Sequence, residues 1–128
     1  MDRPTIHGWL STEAYWALGR PREQHDRAMD GSLNFGMFHA GSGRQVAYAR
    51  VVTDRATFAW LCDVFVAESV RGDGVGIALI AGVTERLEGF GLRRTMLATR
   101  DAHGLYAKFG FAPIQDAEKW MVRQLPAG

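Results

Sequence analysis

Residues 58–66, FAWLCDVFV, are apolar or aromatic almost throughout, and such a run predicts a strand buried on both faces. From Val75 the period lengthens: Val75, Leu79, Val83 and Leu87 recur every fourth residue with Ile80 beside them, while Thr84, Glu85, Arg86 and Glu88 fall off the stripe. That spacing predicts an amphipathic helix, which the Gly89-Phe90-Gly91 step then ends. Two stretches rich in branched and aromatic residues, 33–39 and 45–53, flank Ala40-Gly41-Ser42-Gly43-Arg44 and predict a hairpin closed by a glycine-rich turn. With 58–66 they form an antiparallel meander. Residues 94–99 and 119–125 read as two later strands.

The N-terminal part is read as a short edge strand at 6–10. Ser11 or Thr12 then caps a helix that runs to about Leu18, with Glu13 in its first turn and Gly19 closing it. A second helix follows Pro21, carries Arg22, Glu23, His25, Asp26 and Arg27, and ends near Gly31; so charged a segment predicts a solvated surface. Trp9, Tyr15 and Trp16 form an aromatic cluster with two readings, core or dimer packing and a ligand wall. Along 45–53, Val46, Tyr48, Arg50 and Val52 share one face, with Arg50 the odd member. It either pairs with a carboxylate such as Asp63 on the neighbouring strand or meets a carboxylate on a substrate.

Strand 58–66 meets the helix through Arg71-Gly72-Asp73-Gly74-Val75-Gly76. Glycine leaves that backbone free to take positive φ and lets another molecule come close. The free N–H groups of the first helical turn and the positive end of the dipole suit an anion, a phosphate or pyrophosphate. A P-loop would need lysine and a hydroxyl where Ile77 and Ala78 stand, and a dinucleotide fingerprint needs a different glycine spacing after a first strand. The loop instead fits Arg/Gln-x-x-Gly-x-Gly/Ala.

In that loop the sequence resembles the GNAT superfamily of acetyl-coenzyme A dependent N-acyltransferases, whose pyrophosphate-binding loop has this form. A second match is Ala102-x-x-x-Tyr106-x-x-x-Gly110-Phe111. The motifs lie within 58–111, under half of the chain, and the remainder agrees in element order. The resemblance implies an α/β (α+β) GNAT fold: a twisted, mostly antiparallel mixed sheet of six to seven strands, flanked by about four helices, with central strands splayed at a bulge.

It also implies roles for particular residues. Arg71, Gly72, Asp73, Gly74, Val75 and Gly76 would hold the pyrophosphate of acetyl-coenzyme A, and main-chain N–H groups near Val64, Phe65 and Val66 would pair with the pantetheine arm and polarise the thioester. Thr99 and Ala102 would line that arm; many members carry asparagine where Thr99 stands, and threonine still offers a hydrogen bond. Tyr106 falls on the tyrosine that protonates the departing thiolate. Asp63, in Leu61-x-Asp63-x-Phe65-Val66, is the candidate for receiving the amine's proton, against an equally open reading as an ion pair within the sheet. His103, one helical turn before Tyr106, either relays a proton or caps the helix. Trp16, Arg20 and Arg50 are candidates for the acceptor wall. The activity implied is acetyl transfer to a primary amine of a small molecule by direct attack in a ternary complex, the alternative being a non-catalytic module that binds or senses acyl-coenzyme A.

Composition narrows this further. At 128 residues, 47% hydrophobic and 23% charged, the chain has the size and make-up of a single soluble domain spanning 1–128. A net charge of +1 supplies no footprint for a nucleic acid. No apolar run approaches about 18 residues, so no membrane partner is expected. MDRPTIHGWL lacks a basic-then-apolar leader, which points to the cytoplasm. Lone Cys62 excludes an intrachain disulfide and a cysteine metal cluster; no metal is expected. The family often forms homodimers, and no stretch of this chain demonstrates one.

Overall fold

The computed structural model describes residues 1–126. Helix α1, Arg3–Glu13, begins with the Asp2 side chain accepting from Thr5 N–H at 3.1 Å and has a proline in its first turn. An acidic cap followed by Pro4 is a helix start, and Ile6, Leu10 and Ala14, one turn apart, are all buried. The strand expected at 6–10 and the helix expected from Ser11 or Thr12 to Leu18 are therefore corrected: one earlier helix replaces both, and 15–19 forms turns. Helix α2, Arg22–Asp30, stands where expected but is not merely solvated. His25 and Met29 form a stripe buried within it.

Strands β1 (Leu33–Phe38), β2 (Gln45–Thr53) and β3 (Phe58–Val66) form the antiparallel meander. Helix α3, Val75–Glu88, returns the chain so that β4, Arg94–Met96, lies parallel to β3 in the order β1-β2-β3-β4. A short helix α4, His103–Ala107, follows. The sheet thus has four strands where six to seven were expected, for two physical reasons. The N-terminal segment is helical, and residues 119–125, read as a final strand, find no neighbouring strand: Met121 is 97% and Leu125 80% exposed. Only a short 3-10 turn, Ala117–Lys119, forms near that end.

Two apolar layers sandwich the sheet. On one face Leu79, Ile80, Val83 and Leu87 of α3 pack on Ala47, Ala49, Val51, Ala59 and Leu61. On the other, Ile6, Leu10, Ala14 and Met29 from the N-terminal helices pack on Tyr48 and Phe65. Each fully buried aliphatic side chain contributes about 1.5–3 kcal/mol relative to exposure. Alanines on the α3 face of β2 let that helix approach closely, whereas the large Tyr48 fills the opposite layer.

A bulge in β3 positions the site. Tyr48 pairs with Phe65 and Arg50 with Cys62, so Asp63 and Val64 together face the single residue Ala49. Asp63 takes a positive φ of 54°. Because side chains alternate along a strand, an extra residue reverses the faces beyond it. Ala59 and Leu61 face α3, yet past the bulge Val64 and Val66 pack there and Phe65 joins the opposite layer. The strand expected to be buried on both faces therefore has one sealed set of positions and one half-buried set. The pairing of β3 with β4 stops at Trp60 and Met96, and a cleft opens beyond it.

Candidate active site

The loop between β3 and α3 takes its shape from glycine. Gly72 and Gly74 have φ of +88° and +77°, which side-chain-bearing residues adopt at a cost. Gly74 is the N-cap of α3, and among the described residues no side chain bonds to that helix start. Its first N–H groups are consequently free to meet an anion. Arg71 turns back, its Nε donating to the Val66 carbonyl at 3.0 Å while its guanidinium lies 5.4 Å from the Phe65 ring centroid. A Cβ added to Gly76 would meet Val66 Cγ2 at 3.7 Å and Leu105 Cδ2 at 3.9 Å. Val66 thus touches the loop, and Leu105 joins the helix start to the cleft. The Phe65 side chain points away, stacked 5.4 Å from Trp9, so only its backbone could serve a ligand on the cleft side.

The cleft between the splayed strands has a volume of about 510 Å³ and is lined by residues from the α1–α2 connection, β2, β3 and the stretch from β4 to α4. At its floor the carboxylate of Asp63 accepts four hydrogen bonds: Arg20 Nη1 at 2.7 Å and Nη2 at 3.2 Å, Arg50 Nε at 2.9 Å and Trp16 Nε1 at 2.9 Å. The bulge makes this possible, because Cys62 already faces Arg50 and the extra residue turns the next side chain to the same side. Burial pushes the Asp63 pKa up, but the Arg20 hydrogen bonds and the charge of Arg50 outweigh it and hold the carboxyl below the usual range. So held, it is a weak base near neutral pH. Burial raises the Cys62 thiol to about 11, which keeps it protonated.

Tyr106 is buried in α4, its ring edge-on to Phe111 at 5.9 Å, and it lines the same cleft as Asp63. No protein group among those described bonds its hydroxyl. Burial, and secondarily Tyr15, raise its pKa, so the phenol is protonated and able to donate. Thr99 lines the cleft as well, and its Oγ1 accepts from the Ala102 N–H at 3.0 Å; its own hydroxyl proton remains available. His103 is exposed and lines a neighbouring groove with Tyr106 rather than the cleft that holds Asp63.

Trp16, Arg20, Arg50, Asp63, Thr99, Ala102 and Tyr106 are brought to one cleft, and Gly72 and Gly74 stand at the neighbouring helix start. Tyr15, from the aromatic cluster read either as packing or as a ligand wall, lines the cleft with the Arg100 guanidinium 3.9 Å above its ring. Two contributors escaped the sequence reading: Trp60 forms wall from β3, and Ser32 Oγ accepts from Arg50 Nη1 at 3.0 Å. For Trp60 a signal existed, since it lies two residues from Cys62 on the face that Arg50 shares.

Residues 3–111 match the model of the acetyltransferase (GNAT) family. The chain is 48% identical to a candidate GNAT-family acetyltransferase from Xanthomonas campestris pv. campestris, whose crystal structure superposes with a TM-score of 0.92 over 98% of this chain and 87% of that one. It is 30% identical over 121 residues to the candidate acetyltransferase FG08082 of Gibberella zeae, covering 80% of this chain and 68% of that protein. The fold also matches Rv2747 of Mycobacterium tuberculosis, solved with CoA and NLQ, at 19% identity and a TM-score of 0.74, covering 89% and 68% of the two chains.

Proposed function

The chain belongs to the acetyltransferase (GNAT) family, and on that premise we propose that it transfers an acetyl group from acetyl-coenzyme A to the primary amine of a small molecule, by direct attack in a ternary complex. The observation that carries this reading is a cleft lined by a free phenol, Tyr106, whose neighbour Leu105 lies against the glycine-opened start of α3. The donor fits these residues: Gly72 and Gly74 give the loop positive-φ turns open to solvent, and the uncapped N–H groups of α3 suit its pyrophosphate. Val64 and Val66, on the edge of β3 that β4 leaves unpaired, would offer backbone to the pantetheine arm, with Thr99 and Ala102 on the opposite wall. The structural neighbour Rv2747, solved with CoA, supports coenzyme A as the donor.

Acetyl-coenzyme A supplies an activated acyl group on a thiol of moderate leaving ability. Tyr106 donates its phenolic proton to the departing sulfur, and burial keeps that proton in place until then. Asp63, saturated by its four donors, fixes the positions of Trp16, Arg20 and Arg50 and takes no proton. Cationic guanidiniums beside a bound amine lower its pKa, so the neutral nucleophile forms with water as the proton acceptor. Thiol release measured across an amine panel, with coenzyme A binding measured by calorimetry, tests the reading. Tyr106→Phe is expected to lower turnover about 10-fold or more while leaving coenzyme A affinity within a factor of about three. Equal turnover with chemistry rate-limiting removes Tyr106 from the role. The locked Asp63 carboxylate favours a second reading, a module that senses acyl-coenzyme A; binding without thiol release on any amine would select it.

A further inference from the structure

We propose that Arg20 and Arg50 form an anion subsite in this cleft, and that the acceptor is an amine carrying a carboxylate, an amino acid or close relative; the assignment of the amine end rests on the acetyl-transfer reading above.

Charge counting starts the argument. Two guanidiniums share one carboxylate, and all three are withdrawn from water, with side chains 17% exposed for Arg20, 14% for Arg50 and 2% for Asp63. The cluster therefore carries one uncompensated positive charge at the cleft floor. Two other charges belong to this neighbourhood, Asp101 on the lining and Arg100 over the Tyr15 ring. Both are exposed, opposite in sign and weakened by solvent and salt. Neither neutralises the floor. A net charge largely withdrawn from water is screened less by solvent and salt than an exposed one, and so attracts an anion more strongly.

Donor counting gives the same answer. Asp63 uses Nη1 and Nη2 of Arg20 and Nε of Arg50, and Ser32 takes Nη1 of Arg50. Arg20 Nε and Arg50 Nη2 have no protein acceptor among the described residues. Neither is among the polar atoms sealed from water without a partner, a condition that only His25 Nε2 meets among the described residues; both are open to solvent. Each arginine is thus clamped by Asp63 and retains one nitrogen without a protein acceptor, so a ligand oxygen can take a charge-assisted hydrogen bond from either guanidinium. Indole and phenol rings of Trp16, Trp60 and Tyr15 provide apolar wall for the remainder of the molecule.

The test uses the whole protein and paired probes that differ only in the carboxylate. N-acetyl-L-phenylalanine is compared with N-(2-phenylethyl)acetamide and N-acetyl-L-leucine with N-(3-methylbutyl)acetamide, and the survey is extended across N-acetyl forms of the common amino acids. All are titrated calorimetrically with coenzyme A present. The expected result is at least one acid binding 10-fold or more tightly than its neutral partner, the difference shrinking with added salt and vanishing in Arg50→Met. Neutral partners binding equally well, or none of the acids binding while coenzyme A does, overturns the subsite. Thiol release from acetyl-coenzyme A across the amine panel reads the acetyl-transfer proposal separately. Because the wild-type pairs and their salt dependence need no variant, a poorly folded Arg50→Met leaves the test decisive.

Discussion

The glycine loop and the arginine–aspartate wall of the cleft lie against the same strand, yet they are built in different ways. The loop is local: six residues of continuous chain, 71–76, in which two positive-φ glycines and an uncapped helix start do everything with backbone. The wall is assembled from Trp16 and Arg20 of the α1–α2 connection, Arg50 of β2 and Asp63 of β3, separated by up to 47 residues. Backbone sites tolerate variation in everything except glycine and the helix start. Side-chain sites held by one shared carboxylate stand or fall together.

The strongest way to break this contrast is Asp63→Ala. Removing the carboxylate leaves two largely buried guanidiniums facing each other without a counter-charge, so a loss of about 3–5 kcal/mol is expected in urea unfolding. Asp63→Asn, which keeps some of the hydrogen bonds, should lose less. A loss under about 1 kcal/mol for the alanine variant would mean that the wall is not organised by Asp63. Next comes Gly74→Val. A branched side chain at φ +77° strains the helix start by about 1–2 kcal/mol, and coenzyme A affinity is expected to fall about 10-fold or more, while the arginine–aspartate cluster stays intact. Unchanged coenzyme A affinity in a folded Gly74→Val protein would separate the loop from the donor site.

The same contrast governs what could be read from the sequence. Strands β1 to β3, helix α3 and the loop were legible because hydrophobic period and glycine spacing are properties of contiguous residues. Residues 6–10 misled because Ile6, Trp9 and Leu10 look like a strand fragment in isolation; the Asp2 cap and Pro4 carried the true signal. Residues 119–125 carry the apolar run Trp120-Met121-Val122 that a strand would, but such a run specifies a strand only where a neighbour exists to pair with it, and among the described residues it has none. Trp16, Arg20, Arg50 and Asp63 could be singled out one by one. The Arg50–Asp63 pair was one of two readings and the family resemblance implied a bulge, but the arrival of Trp16 and Arg20 at the same carboxylate was not legible, since it depends on the extra residue falling at Asp63–Val64, and nothing in LCDVF fixes that position.

The smallest expected effect is a pH dependence that belongs to the wall alone. His25 in α2 is 1% exposed, its Nε2 is sealed without a partner, and its ring lies 5.3 Å from that of His7, whose Nε2 meets the Arg20 carbonyl at 2.7 Å. Burial first, and His7 second, hold its pKa below the ordinary 6.5. The unfolded chain therefore takes up this proton at a higher pH than the folded one does. Stability from this group is complete above about 6.5 and is lost as pH falls through the folded value, by at most about 1.4 kcal/mol per pH unit. The depressed Asp63 acts in a separate window: its contribution is complete above about 3.9, the unfolded value, and disappears only below it. Unfolding free energies at pH 7.5, 6.5 and 5.5 should decline in the native chain and decline less in His25→Gln. Parallel declines would assign the slope to other groups and leave the back of the acceptor wall indifferent to protonation.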